Sequence, residues 1–439
     1  MRTRVQDVVS PKRVLVVSYF YPPFQSVGAL RVSKVTKHLA ALGWRPIVLT
    51  VAGEDLPRTM DVEIPEADVH RAACLDVNRG PKLLLGRRRV ASRGYQVFSP
   101  GLAGTILKGL GETYRRWLNF PDGQIGWYPF AVREGLRVIR EEAPVLIYSS
   151  APPATGHLVA ARLAALTGVP WVGEFRDPWT DNPNYDRAPA LRSLERRLEE
   201  RVMSTARAIV AVTPDRATQL GQRFGKPVVT VTNAYDREDY PRDTPLLPTF
   251  TITFTGMVYP GRQTARPLFD AIARLAAAAE LPEGFLVRLV GRNVQAIADE
   301  ARAAGVAAYV RVFDQVDRRA ALAMQVESTL LLLLLWTEGG DAWYPAKMFE
   351  YLGAERPILA LGPASNEGAR LVAERNAGLV SLDAGRIEDA LRAWLALYRK
   401  GGTTAITGMP APQDLDRRAQ VEKLAEVFAR VTATDARAG

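Results

Sequence analysis

Six leucines in succession, residues 330–335, leave a chain few options. The run is far short of the roughly 20 apolar residues that cross a bilayer. In a strand, successive side chains point to opposite faces, so leucine at every position requires cover on both. That is the setting of a central strand in a parallel sheet with helices on each side. Charged residues follow at once: Asp341, then Lys347 and Glu350 behind Pro345. Pro345 suits the first position of a helix. Lys347 then adds positive charge beside the helix N-terminus, and Glu350 lies one turn on, on the same face. An anion next to a hydroxyl-rich group would use both.

The rest of the chain alternates short apolar runs with amphipathic helical stretches, the pattern of an α/β protein with parallel sheets. "RVLVVSYF" (13–20), "RPIVLTV" (45–51), "VLIYSS" (145–150), "WVGEF" (171–175), "AIVAVT" (208–213) and "VVTVT" (228–232) read as strands. The proline-rich, charged stretch "DREDYPRDTPLLPTF" interrupts them and reads as an interdomain linker. The alternation restarts with "TITFTG" (251–256), "FLVRLVG" (285–291), "YVRVFDQV" (309–316), the leucine strand and "PILALG" (357–362). Two consecutive doubly wound domains are expected, over residues 1–240 and 241–410, with residues 411–439 as a closing amphipathic helix. Ligand-binding loops would lie at the carboxyl ends of the strands, with the ligand in the cleft between the domains.

At 439 residues, 47% apolar and 24% charged, the composition is that of a globular protein with two cores. The single cysteine, Cys74, forms no internal disulfide and points to a reducing cytosol. Three histidines and one cysteine argue against a His/Cys metal centre. The start of the chain carries no secretory signal pattern. A net charge of +10 calls for an anionic partner or describes only a basic surface. Residues 76–119 hold nine Lys/Arg against two acids. Within them Leu102, Ile106, Leu107, Leu110, Tyr114, Trp117 and Leu118 share a helical face. Such a helix lies on an anionic membrane or packs on a core with solvated basic edges. No nucleic-acid recognition module accompanies the charge.

Four stretches carry candidate chemistry. In "YFYPPFQSVGALR", Gly28 opens a helix whose free N–H groups can approach a phosphate. In "SSAPPATGHL" and "EFRDPWTDN", which should line one cleft, His157, Arg176, Asp177 and Trp179 are candidates for a polyhydroxylated acceptor, although Arg–Asp neighbours are as often structural. In "FTGMVYPGRQTAR", Gly256 ends a strand, and Arg262 and Arg266 suit a diphosphate. The fourth stretch is the one with Lys347 and Glu350. The string "DLD" (414–416) reads as a cap for the last helix.

Taken together these stretches resemble the family-4 glycosyltransferases of the GT-B fold, two Rossmann-like domains facing each other across a cleft. "YPPFQSVGALRVSKVTKHLAALGW" is similar to that family's amino-terminal loop and helix, and "VTPDRATQLGQRFGKPVVTVTNAYD" to its approach to the second domain. "PAKMFEYLGAERPILAL" matches its donor helix, and "SSAPP" with "FRDPWT" resembles a bacterial subgroup of envelope and exopolysaccharide enzymes. The resemblance implies a retaining, metal-independent enzyme that needs no cofactor beyond a nucleotide-sugar co-substrate. Its acceptor would be a lipid-linked or cell-envelope saccharide. It implies Glu350 on the donor ribose, Arg262 and Lys347 on the diphosphate, Gly28 closing on it, and a final helix over 411–439 that returns to the N-terminal domain. Arg262, Lys347 and Asp177 would act in catalysis, and Asp341 would join the donor site. A cytoplasmic protein with peripheral contact at the inner membrane face follows, and no nucleic-acid partner. Two positions depart from the family: Ala342 stands where a second acid is usual, with Asp341 beside it, and Met257 where arginine is common. A transferase acting on a soluble natural product, or a silent sugar-nucleotide-binding partner, is the alternative. An epimerase on the same scaffold would need a His/acid set that the chain does not display.

Overall fold

The structure, a computed structural model, describes residues 11–53, 58–76, 119–182, 189–338 and 344–435. The basic amphipathic stretch expected within 76–119 and the residues Asp341 and Ala342 lie outside them. The chain divides into two compact units, one of residues 1–231 and 421–439, the other of residues 232–420.

The first unit carries β1 (Lys12–Val17), α1 (Val27–Ala41), β2 (Trp44–Val51), β3 (Val69–Ala72), α2 (Tyr128–Glu142), β4 (Leu146–Ala151), α3 (Thr155–Thr167), β5 (Trp171–Phe175), α4 (Pro189–Ser204), β6 (Ala208–Ala211), α5 (Pro214–Phe224) and β7 (Val228–Thr230). Its seven parallel strands run in the order β3-β2-β1-β4-β5-β6-β7. The order reverses between β1 and β4. The connections after β1 and β4 depart in opposite directions there, so these loops, which hold the prolines of "YPPF" and "APP", flank a crevice at the carboxyl ends of the strands.

The second unit carries β8 (Thr251–Met257), α6 (Arg266–Ala277), β9 (Leu286–Arg292), α7 (Gln295–Ala303), β10 (Val310–Phe313), α8 (Arg318–Val326), β11 (Leu330–Leu334), α9 (Ala346–Gly353), β12 (Ile358–Leu361), α10 (Glu367–Glu374), β13 (Gly378–Val380) and α11 (Ala384–Gly401). Its order, β10-β9-β8-β11-β12-β13, repeats the first sheet's plan. The switch point lies between β8 and β11, which brings the "GMVYPGRQ" loop beside the residues that directly follow β11. A last helix, α12 (Arg417–Asp435), closes the chain. Its Val421, Leu424, Val427 and Phe428 pack in the first unit's core against Val14, Val16, Trp44 and Tyr148.

The leucine strand is covered on both faces, as its composition requires. Leu330, Leu332 and Leu334 pack with Leu268, Phe269 and Ile272 of α6 and with Ile387 and Leu391 of α11. Leu331, Leu333 and Leu335 pack with Met348, Phe349 and Leu352 of α9 and with Leu371 and Val372 of α10. Full burial of a leucine is worth about 1.5–3 kcal/mol, so this strand is a large part of what holds the second unit together.

The stretch expected as a linker is not free chain. Residues 236–250 belong to the second unit, and Tyr240 donates its hydroxyl to the backbone oxygen of Glu350 at 2.7 Å. Gly353 gives the close approach: a Cβ there would stand 2.4 Å from Tyr240 Oη and 2.7 Å from Tyr235 Cβ. The "DLD" acids serve structure. Asp416 caps α12 by accepting from Arg418 N at 2.8 Å, and Asp414 pairs with Arg375 at 2.5 Å.

Candidate active site

In the second unit the site is built where β8 and β11 diverge. Gly256 and Gly291 face each other across the β8–β9 pair, with φ of +123° and +129°. A Cβ on Gly291 would stand 1.9 Å from the carbonyl oxygen of Gly256, and one on Gly256 would stand 3.2 Å from Lys347 Nζ. Glycine is therefore required both by the backbone conformation and by the lysine lying on it. Lys347, in the first turn of α9, reaches back to the end of β8. Its Nζ lies 3.9 Å from the centre of the Phe254 ring and 3.5 Å from the backbone oxygen of Met257. Those partners leave the ammonium poorly solvated. Desolvation pulls its pKa down to about 7 against the opposing attraction of Glu350.

Glu350, one turn along the same helix, is held by residues from α8. Arg318 Nη1 donates to its Oε1, and Gln325 Nε2 to its Oε2 at 3.3 Å. Gln325 Nε2 also donates to Thr255 Oγ1 at 2.9 Å, and Arg318 Nη2 to Asp239 Oδ2 at 3.1 Å. Desolvation works against the charge on Arg318, but Glu350 and Asp239 hold its pKa above the usual arginine value. Thr255 N donates to Tyr351 Oη at 2.9 Å, which ties α9 to the end of β8.

Arg262 is exposed on the loop after β8, its guanidinium 4.8 Å from the centre of the Trp336 ring. Its own backbone oxygen accepts from Thr337 N at 2.9 Å, which joins the loops after β8 and β11. Arg266, also exposed, pairs with Asp270 at 2.7 Å one turn along α6. The structure thus brings Gly256, Lys347 and Glu350 together, with Arg262 on the adjoining loop.

The first unit holds a second cluster at its own switch point. Gly28, in the first turn of α1, is packed against Arg176: a Cβ there would stand 1.9 Å from Nη1. Arg176 donates through Nη2 to the carbonyl of Pro152. Asp177, next in sequence, is exposed. Beneath them lies a buried ion pair. Arg31 of α1 donates through Nη2 to Glu174 Oε1 at 2.6 Å and to the backbone oxygen of Val231 at 2.7 Å. Ser150 Oγ donates to Glu174 Oε2 at 2.6 Å. Burial alone would raise the Glu174 pKa, yet the Arg31 charge and these donors hold it at about 2.

Two of the expected acceptor residues are core residues. His157 is fully buried, its Nδ1 paired with Ser149 Oγ at 2.7 Å and its ring 5.1 Å from Phe175. Desolvation drives its pKa down to about 3, so it is neutral and out of reach of an acceptor. Trp179 is 7% exposed and donates Nε1 to buried Glu195 at 2.9 Å, so its indole offers no face to a sugar. Both belong to the packing of α3, α4 and β5. Sequence reasoning missed Arg318, Gln325 and Asp239 around Glu350, and Arg31 and Ser150 around Glu174. Glu174 itself stands in the quoted "EFRDPWT", where an acid inside an apolar strand is the signal of a buried partner.

Among the described residues, no three His, Cys, Asp or Glu side chains group as metal ligands, and no helix is long and apolar enough to cross a membrane.

Residues 86–239 match the sequence profile of Glycosyltransferase Family 4. That stretch of the chain is similar to the family, and the rest of the chain lies outside the match. No curated protein matches the chain in sequence. Solved structures similar to it share its GT-B architecture. Anabaena HepE in complex with UDP-glucose is 13% identical with a TM-score of 0.58, over 95% of this chain and 100% of that one. Sucrose-phosphate synthase from Thermosynechococcus elongatus is 14% identical with a TM-score of 0.56, over 96% and 100%. A putative UDP-N-acetylglucosamine 2-epimerase from Listeria monocytogenes is 11% identical with a TM-score of 0.52, over 95% and 96%. At such identities the likeness is one of fold, and the fold serves epimerisation as well as transfer.

Proposed function

We propose that the protein moves a sugar from a nucleoside diphosphate donor to a hydroxyl of a lipid-linked or cell-envelope saccharide, with retention of anomeric configuration and without a metal ion. The observation that carries this reading is the placing of Lys347 and Glu350 on one turn of α9. The amine lies on Gly256 at the end of β8 and the carboxylate is oriented by α8. A cation and an acceptor group one turn apart at a topological switch point suit a diphosphate and the ribose diol beside it. HepE, of the same fold, holds UDP-glucose in its solved complex, which favours a nucleotide-sugar ligand here as well.

The chemistry is consistent with these groups. As the glycosidic bond to the diphosphate breaks, negative charge builds on the leaving oxygen. Lys347, fixed against Phe254 and Gly256, and Arg262, based on Trp336, would meet that charge as it develops. Cations oriented in advance lower the transition state more than the ground state. Such a site takes the charge that a divalent cation would otherwise neutralise. The acceptor is assigned to the first unit, where Arg176 and Asp177 stand at the switch point. The basic stretch within 76–119 supplies the membrane part of the proposal.

The test is sugar transfer from a panel of nucleotide sugars, with acceptors offered in anionic vesicles and in solution. Glu350→Gln and Arg262→Ala should abolish donor turnover while the fold is kept, as judged by circular dichroism. Turnover at the wild-type rate in both variants would refute the assignment. Activity confined to soluble acceptors, with no vesicle binding, would move the acceptor to the soluble class.

A further inference from the structure

The two oxygens of Glu350 are held from one helix. Arg318 and Gln325 stand seven residues apart on α8, two turns along one face, and each donates to a different oxygen of the carboxylate. The start of α8 is itself fixed, since Asp317 caps it by accepting from Ala320 N at 2.8 Å. Arg318 spends its other terminal nitrogen on Asp239, so one planar fork spans two carboxylates. A carboxylate oxygen has two acceptor sites, and each Glu350 oxygen keeps one after these bonds. The Arg318 and Glu350 side chains are 32% and 20% exposed, so the pair lies at the edge of the core with one side open to solvent. The fork sets where the carboxylate lies.

We propose that Arg318 is a positioning residue for donor recognition: braced by Asp239, it fixes the Glu350 carboxylate in the orientation that receives the two ribose hydroxyls. This rests on the donor-site reading above and adds to it a residue from a different element. Lysine cannot replace the fork, because an ammonium is a point charge that does not span both carboxylates in a fixed plane.

The experiment is calorimetric titration of the full-length protein with UDP, ADP, GDP and CDP, each beside its 2′,3′-dideoxy counterpart. The wild type should bind at least one of these nucleotides and prefer its ribose form. Arg318→Met should weaken that form about tenfold, the cost of misplacing one hydrogen bond to a charged group. It should leave affinity for the dideoxy form unchanged and keep a single cooperative thermal transition. Arg318→Lys should fall between the two, and Glu350→Gln should remove the ribose preference. Should Arg318→Met fail to fold, Asp239→Asn, which frees the other end of the fork, should show the same narrowing of preference. Unchanged ribose preference in both Arg318 and Asp239 variants overturns the positioning role. Equal weakening of ribose and dideoxy forms also overturns it, since a merely structural arginine would act that way. If the wild type binds none of the four nucleotides in either form, the donor-site reading itself falls.

Discussion

Lys347 is the residue whose surroundings most constrain its chemistry. An amine brought down to about 7 carries a proton below that pH and loses it above. A diphosphate needs the protonated form. Affinity for a nucleoside diphosphate should therefore fall as pH rises through about 7, and near that pH binding should draw a proton from solution. Calorimetry in buffers of different ionisation enthalpy reads the proton directly. Lys347→Met should abolish both the uptake and the part of the pH dependence that the nucleotide's own phosphates do not explain. A pH profile shared by the wild type and Lys347→Met would refute the role. Lys347 and Glu350 were legible in the sequence because both sit on one short helix after an unmistakable strand. Their partners were not. Arg318 lies 32 residues from Glu350, and Arg31 lies 143 residues from Glu174, so no local pattern joins them. His157 and Trp179 were misread for the complementary reason, since a polar atom satisfied inside a core looks in sequence like one offered to a ligand.

At the scale of elements, strands were recognisable wherever burial on both faces imposes an apolar run. Those that escaped, β3 and β13, span only Val69–Ala72 and Gly378–Val380 and lie at sheet edges. An edge strand needs one covered face and a few residues, so "VHRA" carries no signature. The leucine strand is the opposite extreme. Leu332 is fully buried beside Leu268, Phe269 and Leu391. Leu332→Ala should cost about 2–5 kcal/mol of unfolding free energy, the range for leucine truncation in a packed core. Chemical denaturation followed by circular dichroism measures it. A loss below about 1 kcal/mol would mean that the site collapses around the smaller residue and that the strand is less tightly enclosed than its burial indicates.

For the whole molecule, the sequence reading divides the chain after residue 240, and the compact units divide after residue 231. A stretch dense in proline and charge reads as a linker, yet residues 236–250 pack within the second unit. The tyrosines there, Tyr235 and Tyr240, are what the linker reading passed over. The end of the chain belongs to the first unit, where the family resemblance puts it. Phe428 of α12 is fully buried, its ring 5.5 Å from Trp44 and 5.3 Å from Tyr148. A helix distant in sequence thus completes the core under β1, β2 and β4, while the proposed donor site draws on residues of the second unit alone. The two should respond separately. Phe428→Ala removes a buried aromatic at a cost of about 3–5 kcal/mol, and hydrogen exchange should quicken in β1, β2 and β4. A bound nucleoside diphosphate stabilises what it touches, so it should slow exchange in β8, α8 and α9. That protection should persist in the Phe428→Ala variant, because Lys347, Glu350 and Arg318 keep all their partners. If the variant instead loses nucleotide protection at α9 while the second unit stays folded, the donor site is not the self-contained structure that its hydrogen bonds describe.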